Sequence, residues 1–296
     1  MLGRSGPWVA WGFALMAAVA ATACSREAQR TLYIGGIPDQ DVSLLEARFD
    51  GLARYLTERT GVPVEYIPSV SYASVVTAFG RGDIHLGWYG GLTGVQARIA
   101  VPDARAIAQR PRDRAFHSVF VAGPGSGIET LEDLAGRSFT FGSESSTSGH
   151  LMPRSFLEAA GVDPEADFAG GPHFSGSHDT TWKLVETGAF DAGVLSEAVW
   201  EARVAAGEVD LSEVSVFFTT PPFVDYHWVL RGDVDGVFGA GVAASIREAL
   251  LAISVDAGPT ERAIADAFHT DRFVRASNDA YEAIEDVAVG LGFVER

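Results

Sequence analysis

Cysteine is almost missing from this chain: of 296 residues only Cys24 carries a thiol, so no internal disulfide can form. Positive charge is scarce too, with 22 Lys and Arg against 39 Asp and Glu and a net charge of −17. Nucleic-acid partners require a basic footprint, which this balance excludes. No apolar run reaches the roughly 20 residues that span a bilayer. Catalytic signatures are equally absent. There is no Walker A lysine, no H-E-x-x-H and no G-x-G-x-x-G, and Gly142-Ser143-Glu144-Ser145-Ser146 does not fit the G-x-S-x-G nucleophile elbow. No solenoid repeat or low-complexity tract breaks the chain. What remains, 47% hydrophobic and 21% charged, is the composition of a globular protein with one large domain or two lobes.

The N-terminus carries Arg4, no acid, and an apolar run to Ala23. A basic start, a short apolar core and small residues before a cut site describe an export signal over 1–23. Cys24 directly after Ala21-Thr22-Ala23 resembles a bacterial lipobox, with Ala21 where leucine is usual. Lipidation of Cys24 and a polar tether over 24–30 are therefore expected, with a periplasmic or cell-surface location. An ordinary secreted protein with an incidental cysteine is the alternative.

From residue 31 the pattern alternates strands and helices. A strand at 31–34 is followed by a loop, then by a helix capped by Asp41 whose apolar face is Val42, Leu45, Phe49, Leu52 and Leu56. Strands are expected at 62–67 and 84–88, with helices at 72–79 and 92–99. The middle third repeats the plan. Strands at 138–141, 190–195 and 214–218 alternate with helices bearing Leu151, Phe156 and Leu157, then His178, Trp182 and Val185. A strand at 226–230 precedes mainly helical sequence. Such alternation predicts a mostly parallel sheet covered on both faces.

The turn between the 138–141 strand and the next helix reads Ser145-Ser146-Thr147-Ser148-Gly149. The first N–H groups of a helix lack partners inside it. Together with the helix dipole and adjacent hydroxyls, they suit a small oxyanion. A plain Ser/Thr helix cap is the bland alternative. Polar clusters at 36–41, Tyr89-Gly90, 145–148 and Glu197 all fall at strand C-terminal ends, where open α/β sheets bind ligands. Net acidity does not forbid an anion. Diffuse repulsion is screened over about 8 Å, whereas each hydrogen bond to a charged group contributes roughly 1.5–3 kcal/mol. Taken singly, Tyr89 could be core, His178 a cap or structural donor, and Glu197 and Asp225 solvated acids. His173, His178 and Asp179 as metal ligands are disfavoured by the Gly/Ser-rich loop between them.

Asp83-Ile84-x-x-Gly87-Trp88-Tyr89-Gly90, Phe141-Gly142 with Ser146-Thr147-Ser148-Gly149-x-x-x-Pro153, and Gly176-Ser177-His178-Asp179 resemble the phosphonate/phosphite-type periplasmic binding proteins of ABC importers. The resemblance covers about 32–289. Phrases over 140–145 and 222–228 look like a subgroup labelled as selenate-binding. The resemblance implies a type II two-lobed α/β fold, each lobe a mostly parallel sheet flanked by helices. Lobe one would be 31–121 plus 224–296, and lobe two 122–223. It implies no catalysis, cofactor or metal, and an ABC permease with its ATPase as partners. By the same resemblance, Ser146, Thr147 and Ser148 would hold the anion's oxygens, joined by His178 and by Tyr72 and Tyr89 from lobe one. Glu197 and Asp225 match positions that receive the ammonium of an aminoalkylphosphonate.

Those acids separate the ligands. Hydrogen phosphite or a monoprotonated phosphonate brings a proton to an inward carboxylate; selenate and sulfate have none to bring. Two acids facing in would favour the phosphonate class, and acids paired with Arg or turned to solvent the selenate class. A receptor presenting ligand to a sensor kinase and, more remotely, a secreted hydrolase are the other readings.

Overall fold

The structure is a computed structural model describing residues 2–3 and 30–295. The body of the expected export signal and Cys24 lie outside the described residues.

Strand β1 (Leu32–Gly36) leads into helix α1 (Val42–Thr60). The Asp41 carboxylate caps α1 by accepting from Ser43 N–H at 2.9 Å, and Gly61 ends the helix at φ +70°. Leu45, Phe49, Leu52 and Leu56 are buried as their spacing requires, but Val42 is 61% exposed, because the first turn stands clear of the sheet. Then come β2 (Val64–Tyr66), α2 (Tyr72–Arg81), β3 (Leu86–Tyr89), α3 (Gly91–Ala100) and β4 (Arg105–Gln109). Next are β5 (Ser118–Ala122), β6 (Phe139–Phe141), a π-helical turn (Thr147–Leu151), α4 (Met152–Ala159), α5 (Pro164–Asp167), β7 (His173–Phe174) and α6 (His178–Glu186). The chain continues through β8 (Ala192–Ser196), α7 (Glu197–Ala205), β9 (Ser215–Thr219) and β10 (His227–Leu230). It ends with α8 (Val234–Phe238), α9 (Val242–Ala252), α10 (Pro259–Ala267), β11 (Val274–Arg275) and α11 (Glu282–Gly290).

Two sheets result, ordered β11-β4-β10-β3-β1-β2 and β7-β6-β8-β5-β9. The expected parallel pairing holds within β2-β1-β3 and β7-β6-β8. Strands β10 and β5, which carry the chain across from the other sheet, pair antiparallel with both their neighbours, so each sheet is mixed. The whole of β5 belongs to the second sheet, so the first crossing comes before Ser118 rather than at the expected 121. Strands β4 and β5 carried no expectation: Arg105-Ala-Ile-Ala-Gln109 and the apolar Ser118-Val-Phe-Val-Ala122 lack a periodicity that separates strand from helix.

The first sheet has one continuous core built on Phe49, Trp88, Trp228 and Phe268. The second is covered on both faces, by Phe120, Phe139, Phe141 and Phe168 on one side and Val121, Trp182 and Leu195 on the other. The two crossing segments bond to each other: Phe116 N–H donates to Phe223 O (2.7 Å) and Phe223 N–H to Phe116 O (2.9 Å). Asp225 N–H then donates to Asp113 O at 2.9 Å, which sets the Asp225 side chain between the two sheets.

Candidate functional site

The hydroxyl loop begins at Ser146, whose Oγ accepts from Gly149 N–H at 2.9 Å and whose carbonyl accepts from Leu151 N–H at 2.9 Å. That five-residue closure makes the first turn π-helical, a wider turn that recurs at functional sites. The N–H groups of Thr147 and Ser148 lie in this first turn, where no intrahelical acceptor exists. Gly149 is required here. A Cβ would lie 2.9 Å from Ser146 Oγ, 3.1 Å from Gly142 Cα and 3.2 Å from His178 Cε1, so strand end, loop and histidine converge on one point. Ser118 Oγ donates to Ser148 O at 2.7 Å and fixes the loop from the crossing strand.

His178 opens α6, and its burial lowers its pKa against the pull of Asp39 and Asp179. Its Nδ1 accepts from Ser196 N–H at 3.3 Å, so the neutral ring carries its proton on Nε2, 3.2 Å from Tyr226 Oη. Tyr226 in turn donates to Asp39 Oδ2 at 2.9 Å. His178 Nε2–H is thereby an aimed donor and Tyr226 an acceptor for it.

Among the described residues, three buried oxygens near this network have no well-aligned hydrogen bond: Asp39 Oδ1, Tyr72 Oη and Asp225 Oδ2. Burial first, then the charges of Asp39 and Asp225, pushes the Tyr72 phenol far above its usual range, while the Ser146 hydroxyl beside it works the other way. Tyr72 is therefore a neutral O–H donor. Burial pushes Asp225 up to about 7, against the Gly91 N–H and the nearby Ser148 and Thr147 hydroxyls. A carboxyl poised there can hold or release a proton at neutral pH.

The sheets are also bonded across the cleft. Leu92 N–H donates to Thr147 Oγ1 of the other sheet's loop at 2.8 Å, and Gly91 N–H to Asp225 Oδ1 of the crossing segment at 2.9 Å, so both cap the start of α3. A Cβ on Gly90 would meet those two oxygens at 2.9 and 3.0 Å. On the opposite side, His178 N–H donates to Asp39 O (3.0 Å) and Asp41 N–H to Asp179 Oδ2 (2.9 Å). Arg203 grips Asp179 at 2.6 and 2.7 Å.

Of the expected residues, Tyr72, Ser146, Thr147, Ser148, His178 and Asp225 are brought together. Tyr89 is not. Its hydroxyl donates to Val75 O at 3.3 Å and its ring packs on Phe79, because strand alternation sends it to the helix face while its neighbour Trp88 stacks on Tyr226. Glu197 is not either; it opens α7 half-buried, with Arg112 3.8 Å from its carboxylate. Asp39 and Tyr226 are not singled out by the sequence: Asp39 lies within the polar cluster at 36–41, and Tyr226 within the strand at 226–230 and the family-like phrase over 222–228. His173 Nδ1 bonds to Thr140 Oγ1 at 2.9 Å, and among the described residues no three His, Cys, Asp or Glu side chains group as metal ligands.

A pair of mixed sheets joined by paired crossings, with donors from both converging on one cleft, is the architecture of a two-lobed type II periplasmic binding protein. A family profile described as "ABC transporter, phosphonate, periplasmic substrate-binding protein" matches residues 34–281, and the chain belongs to that family. It is 40% identical over 264 residues to the "Probable ABC transporter phosphite binding protein PhnD1" of Prochlorococcus marinus, covering 87% of this chain and 89% of that protein. The 1.52 Å structure of that PhnD1 with methylphosphonate superposes with a TM-score of 0.86, covering 89% of this chain and 99% of the other. A Mycolicibacterium smegmatis protein named "Phosphate-import protein PhnD" is 31% identical over 173 residues, 55% of this chain and 54% of that one. A Pseudomonas aeruginosa binding protein of an ABC phosphonate transporter, 18% identical with a TM-score of 0.78, shares the fold over 88% of this chain and 86% of its own. The chain is thus the periplasmic substrate-binding component of an ABC importer for a small oxyanion, working with a membrane permease and its ATPase. Among the described residues no helix is long and apolar enough to cross a membrane.

Proposed function

We propose that the protein captures a phosphonate-type anion carrying a proton, such as hydrogen phosphite or methylphosphonate, between its two sheets, and releases it unchanged. The observation that carries this is the cluster of buried Asp39 Oδ1, Tyr72 Oη and Asp225 Oδ2, none with a well-aligned hydrogen bond among the described residues, beside the Ser146–Ser148 hydroxyls and the His178–Tyr226–Asp39 chain. Buried polar atoms left unpaired cost about 1–3 kcal/mol each, so a guest that donates to the carboxyls and accepts from the donors removes several penalties at once. Selenate and sulfate can satisfy Tyr72 but have no proton to offer the Asp39 and Asp225 carboxyl oxygens. Glu197, turned to Arg112, leaves Asp225 and Asp39 as the inward acids, and that pairing weakens the aminoalkylphosphonate variant as well. Neutral donors aimed at a fixed anion suit capture. A hydrolase would place a nucleophile and base there, and Ser146 Oγ instead caps its own helix.

Capture would draw the 30–110 and 227–295 unit and the 118–219 unit together as two lobes, and Cys24 would carry a lipid anchor. Titration calorimetry with methylphosphonate, phosphite, phosphate, sulfate and selenate tests the ligand class. Methylphosphonate and phosphite should bind at least tenfold tighter than selenate; selenate binding tightest would overturn the reading. For the anchor, Cys24→Ser should move the protein from membrane to soluble fractions.

A further inference from the structure

Arg48, on α1, is 6% exposed and lies with its guanidinium 5.2 Å from the centre of the Phe268 ring. Its Nε has no partner, and among the described residues no carboxylate stands within ion-pair distance of it. The charged and phenolic groups facing it are Asp39, Arg110, Tyr226 and Arg203. Arg110 is paired with Asp113 at 2.6 Å and Arg203 with Asp179 at 2.6 Å, so both of those charges are already balanced. Arg48 alone among these buried cations has no carboxylate of its own. It lines one narrow pocket with Asp39, Trp88, Arg110, Ser196 and Tyr226, and Asp39 and Tyr226 are also members of the oxyanion network.

Retaining such a residue is expensive. A buried cation without a partner carries a desolvation penalty that an apolar side chain of similar length avoids. Burial duly lowers the pKa of Arg48. Contact with the Phe268 ring recovers part of the loss, yet a methionine would pack there equally well. The neutral Ser–Thr–Ser loop supplies hydrogen bonds but no net charge, and Asp39 puts a carboxylate beside the guest.

We propose that Arg48 is the charge-selecting residue of the oxyanion site: its unpaired cation offsets the Asp39 carboxylate, so the closed cleft accepts one net negative charge from the ligand. This rests on the phosphonate-type function proposed above. Arg48 acts through space and through Asp39 and Tyr226, without needing to touch the guest.

The test is a set of variants measured by calorimetry with methylphosphonate and by thermal melting of the ligand-free protein. Arg48→Met should bind at least tenfold more weakly while melting at the same or a higher temperature, a combination that a merely structural arginine would not produce. Arg48→Lys should recover most of the affinity, because it restores charge without the planar fork. Arg48→Met binding within twofold of wild type would overturn the proposal. So would Arg48→Lys as weak as Arg48→Met, which would mean that shape matters and charge does not. If Arg48→Met does not fold, Arg48→Gln, neutral and of similar length, takes its place with the same tenfold loss expected. Wild-type protein that ignores methylphosphonate would instead overturn the function on which the proposal rests.

Discussion

Replacing Asp225 by Asn should stabilise this protein at alkaline pH and leave it unchanged in acid. Asp225 is 1% exposed and its pKa is raised to about 7, chiefly by burial. In the unfolded chain an aspartate titrates near 3.9, so the shift is roughly 3 units, or about 4 kcal/mol at about 1.4 kcal/mol per unit. The folded value lies above the unfolded one, so the native state holds the extra proton between them. Stability is therefore fullest below about pH 4, falls as pH rises towards 7, and levels off above it. Asparagine keeps an oxygen for the Gly91 N–H but never ionises, so the variant should escape that decline. At pH 8 it should melt roughly 10 °C above wild type, taking 2–4 °C per kcal/mol for a chain of this size; at pH 4 the two should coincide. Thermal melting from pH 4 to 9 without ligand is the assay. Parallel curves for the two proteins across that range would refute the idea that Asp225 is buried as an undercompensated acid.

Ser146→Ala removes both a cap and a neighbour of Tyr72, so methylphosphonate affinity should drop ten- to a hundredfold, about 1–3 kcal/mol, with about 1 kcal/mol lost in unfolding. Thr147→Val deletes the acceptor of Leu92 N–H across the cleft; calorimetry should register a drop of about tenfold, and small-angle scattering a less compact liganded state. Tyr89→Phe and Glu197→Gln should each leave affinity within twofold, since one hydroxyl serves Val75 O and the other side chain serves Arg112; a tenfold loss in either would return that residue to the site. Arg203→Met should leave Asp179 buried and unpaired at roughly 3–5 kcal/mol, measurable as a lowered denaturant midpoint and weaker ligand binding, because Asp179 also receives Asp41 N–H.

Local chemistry made much of this protein legible before any coordinates. The run from Phe139 to Gly149 forces a strand, a turn and a helix start, since hydroxyls and glycine there can do little but cap and cradle. The Leu45–Leu56 stripe dictates a helix, and Asp41 and Gly61 its ends, through contacts only a few residues away. Family motifs carried the function class and the two-sheet plan for the same reason: they are short and contiguous. Cleft membership is another matter, because it depends on residues more than a hundred positions apart. His178 reaches Tyr226 and Asp39 only once two crossing segments bring the sheets together. Tyr89 looked like a ligand residue until pleating turned it to the helices, and Glu197 until Arg112 arrived from the other crossing. Nothing in the sequence marks Arg48; its lack of a carboxylate partner is a property of the assembled cleft, where charge, burial and distance are decided together.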